Sequence, residues 1–549
     1  MRLSVFLEDC HYLSKPTESV RHGAFLASAA FFKWVANEPA FDKLEVFLPP
    51  AVMGDAQVIR EAAEHTLEPQ SRGRGRLSFY PVHQLPEVWA DEVPRVLRSI
   101  DPQFMARDRY LRDSCAKGPV ALSVDTHIVA EYESWASLRR VLDAPEVAFD
   151  SVQCISHSLR DALVSSLNSL GCDTPPFRLD VIPRPVNIER FRPPTLGEKL
   201  ESRRALRIPD SANVAIFLSR VGPHSKADLY PLVQAFARSS GPNDWLVIGG
   251  GPTSDTAYAR VKDWLAEAGV LDRARLLGSC PQEEVPQRLW TGDFFVLPCD
   301  NPSEGLGIAP VEAMACGLPA LVSDWDGMRE AVRNGHNGYL VPTYWAPGSS
   351  RIAEFSPFNP HLSECLLLSQ CVVVDQEVLE QRMRLLFRDE ALRERLGIAA
   401  RESAAAFRPE VIGEKLIRTF SEQLHAAGSE RDASKTARKA AACRLGLPSN
   451  YDRILKAQAT RSLSASDVLE LAPSGREVLE GRREFPTYFE VGLLSPPRAM
   501  QSALECLADG PRELREVAET IKSDRSEDSI FTVALLLKRG FVRFRKSIG

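Results

Sequence analysis

Short apolar segments of β character alternate with amphipathic ones along most of this chain, and the alternation runs twice. In the first run "RLSVFL", "KLEVFLP", "RLSFYPV", "PVALSV", "SVQCIS" and "LDVIP" read as strands, with "GAFLASAAFFKWVAN" and "SLRDALVSSLNSLG" as helices between them. Such alternation predicts a parallel sheet with helices on its faces. The stretch "VIPRPVNIERFRPP" (181–194) follows, and its prolines disfavour helix and limit strand pairing, so it reads as a linker. The pattern then restarts with "NVAIFLS", "DWLVIGG", "ARLLGS", "DFFVLP", "PALVS" and "GYLVP". The expectation is an α/β chain of two Rossmann-like, doubly wound domains facing a cleft, over 1–185 and 186–428. An insertion at about 344–372 ("YWAPGSSRIAEFSPFNPHLSECLLLSQ") breaks the rhythm of the second.

Beyond "SERDASKTARKAAA" the pattern turns mainly helical. Residues 440–549 give helix, turn, helix, helix and a final strand pair, a winged-helix outline with a slight basic excess. The whole chain carries a net charge of -6 over 549 residues, which favours neither a nucleic-acid protein nor a disordered acidic one. The apolar run in "MRLSVFLEDCHYL" is short for a signal peptide, and no run of apolar residues is long enough to span a bilayer. The 11 cysteines form no CxxC pair or metal-ligand spacing, so reduced thiols and a cytoplasmic location are expected.

The chemistry concentrates in "NPSEGLGIAPVEAMACGLPALVSDWDG" (301–327), a loop after a strand that runs into a helix. Loops at the carboxyl ends of strands in open α/β sheets are where ligands bind. Gly305 and Gly307 remove side chains, so backbone amides around Leu306 and Ile308 and the positive helix end can approach a ligand closely. Two carboxylates, Glu304 and Glu312, flank that loop. Beside a phosphate they would be repulsive, so they should accept hydrogen bonds from hydroxyls. A sugar nucleotide carries both kinds of group. The balancing charge comes from "FLSRVGPHSKADL", where Arg220 and Lys226 flank Gly222 and Pro223 in the loop after the second domain's first strand. Two fixed cations there could neutralise a diphosphate leaving group.

"SRVGPHSK", "VIGGGP", "PSEGLGIAPVEAMACGLPALVS" and "NGYLVP" together resemble the donor-binding domain of retaining glycosyltransferases with the GT-B fold, family 4, and the Glu304/Glu312 pair matches that family's E-x7-E signature. The resemblance is strong over about 180–425 and fainter through the first domain. It implies that Arg220 and Lys226 bind the diphosphate, Glu312 the ribose, and Glu304 with the amides of Gly305 to Gly307 the transferred sugar. "ALSVDTHIV" resembles the strand end that holds a histidine near the sugar, which makes His127 the candidate. The family's glycine-rich loop is poorly matched by "TESVRHGAF", where only Gly23, beside His22, stands in a comparable place. Retention of configuration, with the leaving phosphate oxygen taking the acceptor's proton, is likewise implied by the resemblance.

The implied reaction is metal-independent sugar transfer from a nucleotide-diphosphate sugar, UDP or GDP being the first expectations, to a hydroxyl acceptor. No other cofactor is expected. Glycan, lipid-linked, protein and small-molecule acceptors all stay open, as do homo-oligomer formation and peripheral contact with the inner face of a membrane. Asp324-Trp325-Asp326 has the DxD form of a metal site but reads better as turn and helix-cap chemistry. Lys226 and Glu312 are expected to be exposed cleft residues whose truncation to alanine abolishes transfer and leaves the fold intact. The competing reading puts function in residues 440–549, as a nucleic-acid-binding or protein-docking regulator whose sugar-nucleotide site senses or modifies. The basic end "KRGFVRFRK" is more simply a solvated face, so nucleic acid is disfavoured.

Overall fold

The computed structural model describes residues 1–10, 12–13, 23–67, 76–126, 132–142, 145–302, 304–346, 350–358, 361–430, 432–445, 463–485, 495–521 and 526–545. Seven parallel strands form one sheet: β1 (Arg2–Phe6), β2 (Lys43–Leu48), β3 (Leu77–Pro81), β4 (Arg95–Ser99), β5 (Val120–Thr126), β6 (Ser151–Cys154) and β7 (Arg178–Val181), in the order β3-β2-β1-β4-β5-β6-β7. Six more form a second: β8 (Asn213–Leu218), β9 (Asp244–Gly249), β10 (Ala274–Leu276), β11 (Phe294–Leu297), β12 (Ala320–Ser323) and β13 (Gly338–Val341), in the order β10-β9-β8-β11-β12-β13. Both are doubly wound. Most of their strands are near-continuous apolar runs, as sheets covered on both faces require, with β4 (RVLRS) and β7 (RLDV) as exceptions.

By compactness the chain divides into two units. The first comprises Met1–Val5, Pro39–Asp42 and Trp89–Leu445. Within it the helix Pro409–Gly428 packs on the strands of the first sheet, where Gln423 Nε2 donates to the carbonyls of Leu122 (3.0 Å) and Phe149 (2.8 Å). The next helix, Asp432–Leu445, is tied to the helix Met105–Cys115 by an Arg438–Asp113 ion pair, and Arg438 also bonds Glu430 at 2.8 Å. The segment expected as an insertion forms an antiparallel pair, β14 (Thr343–Trp345) with β15 (Val372–Val374), separated by the helices Ser350–Phe355 and His361–Ser369.

The second unit comprises Phe6–Glu38, Lys43–Val88 and Gly446–Gly549. Its C-terminal part has an antiparallel sheet of β16 (Val468–Leu471), β17 (Arg512–Glu513) and β18 (Val542–Phe544), in the order β17-β16-β18. Helices Pro497–Cys506, Leu514–Thr520 and Ser526–Lys538 accompany it around a core that includes Leu469, Met500, Leu504, Val517, Val533 and Phe541. Among the described residues no helix is long and apolar enough to cross a membrane.

Candidate functional site

The second sheet has its topological switch between β8 and β11: the chain winds outward from β8 to β10, then returns to lay β11 against β8's other edge. Parallel neighbours present their carboxyl ends on the same side, so the loops after β8, β11 and β12 lie side by side. A ligand crevice forms at such a point.

The loop after β8 carries the cations. Gly222 sits at φ +139°, and a Cβ there would fall 1.9 Å from Thr253 Oγ1, so only glycine fits between the two loops. Gly250, in the "GGGP" turn after β9, is held as closely: a Cβ would lie 1.7 Å from the Ser219 carbonyl oxygen, and Tyr258 OH donates to the Gly250 carbonyl at 2.7 Å. These contacts fix the loop's two ends. Asn301, fully buried in the loop after β11, fixes its middle by donating Nδ2 to the Pro223 carbonyl at 2.7 Å.

Lys226 Nζ is thereby brought onto Glu304 Oε2 in an ion pair. The other oxygen, Oε1, accepts from the Gly307 amide at 3.1 Å. Gly307 is left-handed (φ +76°), which aims its amide back at the loop before the helix Ile308–Ala315 begins. Leu306 is buried beneath, and Pro310 sits in the helix's first turn, where its missing N–H is harmless. Burial pulls the Arg220 guanidinium below its usual value, and the Glu304 carboxylate partly offsets this, so Arg220 also feels that acid.

The geometry therefore gathers Arg220, Gly222, Lys226, Glu304, Gly305, Leu306, Gly307 and Ile308 around one helix start. Glu304 is only 7% exposed: the loop folds over it, and the ion pair compensates its charge. Lys226 is shielded with it, at 18% side-chain exposure, so the expectation of an exposed lysine whose truncation leaves the fold intact is corrected. Glu312 lies farther along the helix, where burial pushes its carboxyl up to about 7 against the opposing pull of Arg190. Arg190 belongs to the proline-rich linker. Gly23 opens the helix Gly23–Asn37 in the second unit, while His22 and His127 lie outside the described residues.

Three residues outside the expected site set shape the site. Asn301 is one. Trp325 is another: its Nε1 donates to the Asn301 carbonyl at 3.2 Å. Asp326, the third, takes a left-handed conformation (φ 48°) and accepts from Ser156 Oγ at 3.3 Å, while Ser158 Oγ donates to its carbonyl at 2.9 Å. Glu330 accepts from the Ser158 amide at 2.9 Å, so the helix His157–Ser169 is joined to the turn after β12. That turn reaches the Gly305–Gly307 loop directly, since the Gly327 amide donates to the Gly305 carbonyl at 3.1 Å. Asp324 pairs with Arg329 at 3.0 Å, and its carbonyl accepts from Thr343 Oγ1 at 2.8 Å, which is turn chemistry. Among the described residues no group of three or more His, Cys, Asp or Glu side chains has metal-holding geometry.

Residues 198–355 match the family described as glycosyl transferases group 1. A D-inositol 3-phosphate glycosyltransferase of Thermobispora bispora is 32% identical over 191 residues, 33% of this chain and 43% of that protein. The chain thus spans about half the length, or less, of the first such relatives. A glycosyltransferase of Rickettsia africae shares the fold at 12% identity, with a TM-score of 0.55 over 77% of this chain and 98% of that one. A sucrose-phosphate synthase of Thermosynechococcus elongatus does so at 17% identity, with a TM-score of 0.53 over 77% of this chain and 99% of that one.

Proposed function

We propose that this chain, a GT-B protein whose residues 198–355 belong to the glycosyl transferases group 1 family, moves a sugar from a nucleotide-diphosphate sugar to a hydroxyl acceptor with retention of configuration. The observation that carries the reading is the meeting of two loops at the switch point. Lys226 and Arg220 come from one, and Glu304 with the Gly-Leu-Gly turn comes from the other.

In the reading, the diphosphate takes Lys226 from Glu304. The lysine then neutralises charge that grows on the leaving oxygen, and Arg220 adds a fixed second charge. Glu304, relieved of its partner, accepts hydrogen bonds from sugar hydroxyls and keeps its bond from the Gly307 amide. Glu312 accepts from the ribose. The leaving phosphate oxygen takes the acceptor's proton on the face where the new bond forms, so no side-chain nucleophile is required. Two cations doing this work make a divalent metal unnecessary, and chelation is expected to leave transfer unchanged.

Melting shifts with UDP, GDP and ADP test the donor site, because a ligand at 100 times its Kd stabilises by about 2.7 kcal/mol. A shift with one of them, followed by release of labelled sugar from the matching donor, supports the reading. Equal, negligible shifts with all three overturn it. The winged-helix outline of residues 440–549 is kept as an accessory module in this proposal.

A further inference from the structure

Resting on the glycosyltransferase reading, we propose that Trp345 is the aromatic platform of an acceptor subsite, and that the acceptor stacked on it is a neutral saccharide. The indole of Trp345 lies against that of Trp325, with planes 13° apart and centroids 6.4 Å apart, yet 48% of Trp345 remains exposed. One side of the ring is thus propped while ring surface stays in solvent. An unsupported indole at a strand end would turn freely. This one is held by a partner that is itself anchored.

That anchor leads straight to the donor loops. Trp325 Nε1 donates to the Asn301 carbonyl, and Asn301 Nδ2 holds the Pro223 carbonyl in the loop carrying Lys226. The platform and the cations are therefore registered through one buried side chain. Its surroundings are polar in the way a sugar needs. Asp324 and Arg329, paired and partly exposed beside Trp325, offer acceptor and donor groups for ring hydroxyls, and the Thr343 hydroxyl, bonded to the Asp324 carbonyl, secures the strand that carries Trp345. A pyranose presents a face of weakly positive C–H groups to the negative face of an indole while its hydroxyls point outward to such partners. A lipid tail would find no use for the ion pair.

The test uses the full chain and saturation-transfer NMR with maltotriose, cellotriose and chitotriose, each raised to about 10 mM, where even weak complexes are visible. At least one is expected to receive saturation through its ring C–H protons. Trp345→Ala should weaken that binding about tenfold, the order of one lost aromatic contact, and Trp345→Tyr should recover part of it. Tyr344→Ala, on the opposite face of the same strand, should leave saccharide binding unchanged. Saccharide binding that is absent, or that is equal in the Trp345→Ala and unmodified proteins, overturns the proposal. Sedimentation of the protein with neutral phosphatidylcholine vesicles in a Trp345-dependent way, without saccharide binding, also overturns it and makes the aromatic pair a membrane contact. UDP and GDP melting shifts on the unmodified protein report separately on the donor reading: a nucleotide shift without saccharide binding sinks the subsite alone.

Discussion

Lys226 and Glu304 are each other's counter-ions, reached from neighbouring strands 78 residues apart in sequence. Both are mostly shielded from water, at 18% and 9% side-chain exposure. A charge left alone there is costly, while removing both charges together is far less so. Lys226→Ala is expected to destabilise the chain by about 3 kcal/mol, and Lys226→Met with Glu304→Gln by clearly less than the two single changes added. Urea unfolding of the parent and the four variants reads this directly. Transfer should fall by at least ~100-fold in every variant, because the leaving-group charge loses its partner in the lysine changes and the sugar loses its acceptor in Glu304→Gln. Additive stabilities would mean the pair does not exist in solution.

Gly327 offers a purely steric test. Its φ is ordinary at -73°, so alanine brings no backbone strain, but a Cβ would sit 2.3 Å from the Gly305 carbonyl oxygen and 2.6 Å from Ser156 Cβ. Gly327→Ala must push the Gly305–Gly307 loop or the Ser156 side away. The expected result is a donor-site defect, seen as a weakened nucleotide melting shift, with a loss of about 1–3 kcal/mol in stability. Full retention of both would show that the contact opens freely.

Both sheets could largely be read from the sequence because most of their strands are apolar runs, and all six strands of the second were expected. β4 was not. Two of its five residues are arginines, yet it is buried along its whole length at the centre of the first sheet. Arg95 pairs with Asp91, four residues earlier, at 2.6 Å, and Arg98 with Asp125 of β5 at 3.1 Å, a partner that no local pattern supplies. The site divides in the same way. Glycines and charges in register marked the loops around Lys226 and Glu304. Asn301 and Trp325 act through carbonyls of distant loops, and a lone Asn or Trp carries no spacing by which to recognise it.

Glu312 gives a pH prediction for binding. Its carboxyl is pushed up to about 7 by burial, against the pull of Arg190, so it gains its charge as pH rises through that value. In the proposed donor site only the ionised form accepts from both ribose hydroxyls. Affinity for the nucleotide that binds should therefore rise as pH rises through about 7, beyond the change seen with Glu312→Gln, whose amide does not titrate. Calorimetry at several pH values compares the two proteins. Parallel pH profiles would remove Glu312 from the ribose site.

Asp326 gives the corresponding prediction for stability. Burial, reinforced by the Glu304 and Glu330 carboxylates, lifts its pKa from 3.8 to about 8. The folded state then holds a proton that the unfolded chain gives up near pH 4. Stability from this group is fully present below that value, declines as pH rises, and is gone once pH passes about 8. Asp326→Asn keeps a residue that tolerates the left-handed conformation and can still accept from Ser156, but carries no charge to bury. The variant should therefore unfold at higher denaturant concentration than the parent at pH 8 and lose the advantage toward pH 4. The difference between the two urea midpoints across that window is the measurement. A gap that widens as pH falls would reverse the sign and place an ionised Asp326 in the folded chain.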